Sequence, residues 1–181
     1  MIKLKKLASV VVVFAVTSTL AGCVSPAGTI NRGADDALRD FQTQVSGGQV
    51  FLDQAAGYLV FPRVLKAGIG VGGETGEGVL RVGGSPVAYY RIAAGSVGFQ
   101  FGAQAKSIVI VFMTRDALTR FRTSEGWRVG VDGSVALIDI GAGKTIDSDN
   151  VRDPVVGFIY GSKGLMYNLT LEGTKFTKID R

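Results

Sequence analysis

The residue types in this chain exclude most catalytic chemistry. Histidine is absent, which removes the commonest general base, the usual zinc ligand and any Ser-His-Asp relay. Cys23 is the only cysteine, so no intrachain disulfide can form. Glu74 and Glu77 lie close enough to be weighed as an acid–base pair. They read instead as exposed glutamates on a turn, because no apolar pocket is evident that would raise either pKa. The chain is therefore read as a non-enzyme, with no cofactor and no metal.

Three short motifs bear on that reading. Gly68-Ile69-Gly70-Val71-Gly72-Gly73 has the form G-x-G-x-x-G. A dinucleotide site needs a helix to open there, so that its N-terminus meets the pyrophosphate. Glu74-Thr75-Gly76-Glu77-Gly78 follows and cannot start one, and the acidic residue expected near Ala93 is missing. Gly143-Lys144-Thr145 has the form of a P-loop ending, but Ile138 stands where the upstream glycine is required. Asp147, Asp149 and Asn150 resemble a fragment of a calcium loop without its glycine and terminal glutamate. A solvated acidic loop accounts for them, with a weak loop cation site as the alternative.

What remains is binding. Phosphate recognition needs clustered Arg or Lys, optionally with backbone N–H groups. Arg63 and Lys66 flank a turn of the first strand region. Arg115, Arg120 and Arg122 share one short helix, and Arg128 follows it. These six are the candidate phosphate-binding residues, and each alone also reads as a solvating surface charge.

The elements that must position them centre on Tyr58 to Val82, which is apolar and β-prone at both ends and glycine-dense between. Glycine within strands marks bulges, sharp bends or close backbone approach. The stretch reads as three short strands, with turns at Val64-Leu65-Lys66 and around Thr75-Gly76. Before it, Ala34, Ala37, Leu38, Phe41 and Val45 are spaced for a helix over Ala34 to Val45, its apolar stripe packed on the core rather than on a membrane. Phe51 to Ala56 suggests one more helical turn. After it, Val87 to Ile92, Val97 to Gln104 and Lys106 to Met113 read as strands. Ile108 to Met113 is apolar on both faces and should be central and covered by a helix. Thr114 can cap a helix over Thr114 to Thr123 that turns Ala117, Leu118 and Phe121 inward. Trp127 either packs or lies at an interface. Further strands are expected at Ser134 to Ile140, Val155 to Tyr160, Leu165 to Leu171 and, as a lysine-guarded edge, Lys175 to Ile179. Gly141 to Pro154 reads as a mobile loop. The fold class is α+β, an antiparallel β-barrel-like core of short Gly-rich strands with two or three helices packed on the outside.

Met1 to Gly22 has a basic start at Lys3, Lys5 and Lys6, then an apolar run from Leu7 to Leu20 that is short for a bilayer. Small residues precede Cys23, and Leu20-Ala21-Gly22-Cys23 resembles a bacterial lipobox. The resemblance implies cleavage before Cys23 and lipid attachment at its sulfur, with residues 23–31 as a tether and 32–181 as the domain. Val24, which is not acidic, then implies the outer membrane, facing the periplasm or the cell surface. Without residues 1–22 the chain has 159 residues and a net charge of +2 in place of +5. A nucleic-acid partner thereby loses its main support.

Phe61-Pro62, Lys66-Ala67-Gly68, Gly72-Gly73-Glu74 and Gly76 to Leu80 resemble the signature of the SYLF (Ysc84) family. Gly98 to Gln104, Ile108 to Phe112, Gly164-Leu165 and Leu171-Glu172-Gly173 continue the likeness, which covers roughly Arg32 to the C-terminus. It implies a β-barrel core, no catalytic site and a lipid-binding or scaffolding role, with Lys66 in the family's Lys-Ala-Gly. The expected function is an envelope-anchored lipoprotein that weakly binds anionic phospholipid headgroups of phosphoinositide type. The alternative is a structural or interaction lipoprotein with an envelope protein partner. A contiguous basic face favours the first, an apolar groove or self-complementary edge the second.

Overall fold

The structure, a computed structural model, describes residues 25–139, 153–164, 171 and 173–181, with backbone alone at 97–101 and 139. The expected signal segment 1–22, Cys23, most of the expected loop with its two motifs, most of the expected strand over 165–171 and the side-chain alternation expected from Val97 to Phe101 lie outside the described residues.

Helix α1 spans Ala27–Gln44 and α2 Gly48–Gln54; strand β1 spans Gly57–Val82 and β2 Ser85–Phe112. Helix α3 (Arg115–Thr123) and strands β3 (Trp127–Arg128), β4 (Ala136–Asp139), β5 (Val155–Gly164) and β6 (Lys175–Ile179) follow. Helix α1 begins at Ala27, so residues 27–31 are helical where a tether was expected.

The glycine-dense stretch is one long strand, not three short ones. β1 pairs antiparallel with β2 from Gly57↔Phe112 to Val82↔Ser85. Gly83 and Gly84, at φ 58° and 80°, close this hairpin with the left-handed turn that matches strand twist. The expected turns are bends within the ribbon, where the ladder shifts register at Phe61/Val64, Ile69/Val71 and Leu80/Arg81.

These bends fold β1 back on itself. A Cβ on Gly57 would stand 3.0 Å from the Arg81 carbonyl oxygen, and one on Gly76 would stand 2.7 Å from that of Arg63. A Cβ on Gly78 would collide with the Val60 carbonyl and the Phe61 ring. The two arms of the strand thus meet backbone to backbone, a distance at which only glycine fits.

The opposite edge of β2 is shared. Its N-terminal part pairs with β6 (Tyr89↔Ile179 to Ala93↔Lys175), its C-terminal part with β5 (Phe112↔Val155 to Gln104↔Gly164). β6 also pairs with β3, so it is not the free edge expected from its lysines. β4 runs parallel to β5, so the curled six-stranded sheet is mixed, not wholly antiparallel.

Side chains alternate between two cores, as the strand period of two requires. Leu59, Phe61, Ile108, Ile110, Phe112 and Ile159 fill the inside of the curl with Phe121, Trp127 and Phe176. Val60, Val79, Val109, Val111, Val156 and Phe158 pack outward under Ile30, Ala34, Ala37, Phe41 and Phe51 of the first two helices. The expected central strand with a helical cover is therefore observed. Thr114 accepts a hydrogen bond from the Ala117 amide as the cap of α3. Trp127 is buried against Phe121 and Phe176.

Polar residues enter the curl at its bent end. Lys106 Nζ sits 3.1 Å from both Glu74 carboxylate oxygens and meets hydrogen-bond geometry at Oε2. Both side chains are almost fully buried. Glu74 is therefore not the exposed turn residue expected; it ties the second arm of β1 to β2 across the interior.

Two stability outcomes follow from this packing. Gly76→Ala should lower stability by about 1–3 kcal/mol in urea denaturation. Gly73→Ala, where a Cβ meets nothing within 4 Å, should change it by less than about 0.5 kcal/mol. Glu74→Ala should cost about 3–5 kcal/mol, because it strands a buried ammonium. Glu74→Leu with Lys106→Met should recover most of that loss, and no recovery would show that the pair is not what holds the bent end.

Candidate functional site

Three adjacent strands lose their regular pairing at one level of the sheet. β1 shifts register between Phe61 and Val64, and β2 shifts against β5 between Ala105 and Ser107. β5 has Gly161 in the left-handed region at φ 63°. Bulges re-aim side chains and release backbone groups from the ladder. Here the released Pro62 carbonyl accepts a hydrogen bond from the Ser107 hydroxyl at 2.9 Å.

A cavity of about 400 Å³ opens over these irregularities, against the C-terminal half of α1. Arg63, Lys106, Ser107 and Lys163 line it from the strands, Asp40 and Gln44 from the helix. Tyr160 closes its floor and donates to the Ala37 carbonyl at 2.7 Å, which joins β5 to α1. Burial pushes the Tyr160 phenol well above its ordinary range, and the Asp40 charge adds to this. Tyr160 therefore stands as a neutral hydrogen-bond donor to the Ala37 carbonyl.

The charges of this cavity are unequal in availability. The Lys106 ammonium is committed to Glu74. Arg63 and Lys163 are exposed and form no ion pair among the described residues. With Asp40 opposite, the open charge is two cations against one carboxylate. Such a site suits a small anion held at moderate strength.

A second cavity of about 760 Å³ lies on the other side of Pro62 and Arg63, which line both. Its walls are the first turns of α1 (Thr29, Ile30, Gly33), Leu65, and the returning arm of β1 at Thr75, Gly76 and Glu77. The Glu77 carboxylate is ion-paired in place with Arg91 and Arg181. Burial alone would raise its pKa, but hydrogen bonds from Arg91, Arg181 and the Ser25 amide hold it below the ordinary glutamate value. Glu77 is thus the second glutamate that was read as exposed and is instead held in an ion-pair network.

The six cations singled out in the sequence do not converge. Arg63 is at the junction of the two cavities. Lys66 is buried, 4 % exposed, and has an interaction of its own. Arg115, Arg120 and Arg122 lie on α3, whose Leu118 packs on Gly57. Gly57 and Arg63 are six residues apart on β1, about 20 Å along an extended strand. Arg120 pairs with Asp116 at 2.8 Å, and Arg122 borders a small cleft of about 250 Å³ with Lys178 and Tyr90. Arg128 is exposed beside Asp132, whose carboxylate accepts its backbone N–H at 2.6 Å. Lys163, Ser107 and Gln44 were missed, because only the pairing of β2 with β5 and the docking of α1 bring them beside Arg63. A lysine opening an otherwise apolar strand, Lys106, was the one available signal.

No group of three or more acidic, Cys or His residues suited to a metal ion occurs among the described residues. No helix among them is long and apolar enough to cross a membrane.

Residues 93–180 match the Ysc84 family model, described as Las17-binding protein actin regulator. The match opens within β2 and runs to β6, so it takes in Ser107, Tyr160 and Lys163 and leaves α1, β1 and Arg63 upstream of it. No curated protein matches the chain.

Glu77 makes acid sensitivity testable. A carboxylate whose folded pKa is depressed contributes stability above its unfolded value, lost as pH falls through the folded one. Stability should therefore decline as pH drops below the ordinary glutamate value of 4.5. Glu77→Gln should flatten part of that decline, measured by urea midpoints across the acid range. An unchanged slope would remove Glu77 from the network.

Proposed function

We propose, from the Ysc84 (SYLF) domain that this chain carries over residues 93–180, that it is an envelope-anchored lipoprotein that weakly binds anionic phospholipid headgroups. Family membership supports a binding role of a general kind. The observation that carries the finer reading is the pair of open cations, Arg63 and Lys163, over a bulged three-strand floor with Ser107 and Gln44 alongside. Arg presents a planar fork and Lys a point charge, the combination that suits a phosphate monoester or diester. The low net charge keeps nonspecific attraction small, and surface ion contacts are screened by salt. In this reading residues 1–22 are a signal removed on export, and the lipid on Cys23 supplies the anchor in the outer membrane of a bacterial envelope. The six cations of the sequence reading then divide: Arg63 belongs to the headgroup site, and the α3 arginines to a separate face.

A second reading is an interaction lipoprotein of the envelope. It is favoured by the bend of the hairpin, where Ile69 and Val71 are 77 % and 67 % exposed beside Gly70. Two solvent-facing aliphatics at a projecting turn suit a protein contact. The family's actin-regulator description would then point to a scaffolding role of general type.

Amide NMR titration of the chain from residue 23 with Cys23→Ser separates the two. Phosphoinositide headgroups should shift Arg63, Ser107 and Lys163, and high salt should remove the shifts, with phosphatidylcholine as the inert control. Arg63→Gln and Lys163→Gln should each weaken binding about tenfold, as for a lost hydrogen bond to a charged group. No response at millimolar headgroup would leave the interaction reading, to be pursued by crosslinking at Ile69 and Val71.

A further inference from the structure

We propose that the chain binds a single anionic phospholipid as a whole molecule, with its phosphate at Arg63 and one acyl chain in the apolar cavity beneath the N-terminal half of α1. This rests on the headgroup reading above and adds the part of the ligand that reading leaves outside. The polar cavity at Lys163 and the larger apolar one at Ile30 are adjoining spaces, because Pro62 and Arg63 line both. A cation therefore stands at the point where a polar space gives way to an apolar one. That is the order of groups in a phospholipid, phosphate first and hydrocarbon behind it.

The apolar space has the form expected of a ligand site. Its volume of about 760 Å³ lies within the roughly 300–1,000 Å³ usual for small-molecule pockets. Ile30, Pro62 and Leu65 give it hydrocarbon walls, and Ser25, Thr29, Thr75, Glu77 and Arg91 form its polar side. Leu65 is 46 % exposed, an aliphatic left in water at the cavity wall. Gly33 keeps the helix close to Pro62, since a Cβ there would stand 3.2 Å from the proline ring. The one carboxylate in the lining, Glu77, is occupied by Arg91, Arg181 and the Ser25 amide, so it presents no open negative charge to the phosphate. Lipid binding strengthens with each methylene buried, so even part of a short chain would add measurably to a headgroup contact.

The test compares two probes on the chain from residue 23 with Cys23→Ser, by calorimetry below the lipid's micelle concentration. One is dioctanoyl phosphatidylinositol phosphate; the other is its deacylated glycerol derivative. The acylated probe should bind at least about tenfold more tightly, consistent with a few buried methylenes. Thr29→Trp, at an exposed position of α1 on the cavity wall, should abolish that difference, leave the deacylated probe's affinity unchanged and leave the melting temperature unchanged. Leu65→Ser should reduce the difference without abolishing it. Equal affinities in the parent chain would overturn the inference and leave headgroup recognition standing. Binding of neither probe at millimolar concentration would overturn both. A tenfold preference that survives Thr29→Trp, with lipid contacts seen at Ile69 and Val71, would place the acyl chain at the hairpin bend and overturn the cavity assignment alone.

Discussion

The structure depends on one steric condition, that the two arms of β1 touch through their backbones. A carbonyl oxygen of one arm occupies the space where the other would carry a Cβ at Gly57, Gly76 and Gly78. Because the arms can close to this distance, the hairpin curls enough to enclose Phe61, Phe112, Phe121 and Phe176 between them. The outer face of the same ribbon then presents Val60, Val79, Val109 and Val111 to α1 and α2. Both cores thus depend on one approach of backbone to backbone, which a side chain at those positions would strain.

The polar chemistry sits where that curl is tightest, and the sheet has to satisfy it locally. Strands that bend sharply lose register, and lost register leaves backbone and side-chain groups without ladder partners. Ser107 supplies one partner by donating to the Pro62 carbonyl. Lys106 and Glu74 supply each other, at a desolvation cost that their mutual attraction must offset. Glu77 links the returning arm of β1 to β2 and the C-terminus through Arg91 and Arg181. Arg63 and Lys163 are the charges left over once these pairs are formed. Both are exposed and so remain open to a ligand.

The sequence was most legible where a local signal and the tertiary demand agreed. Thr114, Asp116 and the Ala117-Leu118-Phe121 stripe specified α3 with its cap. The two-faced apolar run Ile108 to Met113 specified a covered central strand, and the Phe41 stripe specified a helix packed on the sheet. Legibility failed where glycine was read as punctuation. Glycines in β1 mark close approach rather than chain reversal, and a single sequence does not distinguish these uses, because both need the same absence of a Cβ. It failed again for Glu74 and Glu77, whose partners lie on β2 and, for Glu77, also at the C-terminus. The similarity to the Ysc84 family, by contrast, could be read from ordered glycine blocks, and its match over residues 93–180 agrees with the downstream part of that reading.

The sequence alone determined composition-level and period-level facts. Without histidine and with one cysteine, no His-based catalysis or intrachain disulfide was available to it. Alternation of two and stripes of three to four residues set which side chains would be apolar faces. Tertiary structure decided which charges meet. Arg63 and Lys163 are a hundred residues apart along the chain and share a cavity only because β2 joins β1 to β5 and α1 closes over them. Arg63 and Lys66, three residues apart, fall on opposite faces of β1 as the strand period requires, and the register shift between Phe61 and Val64 with the curl of the sheet decided that Lys66 is the buried one. Electrostatic sites depend on distance and desolvation, and both are properties of the folded arrangement.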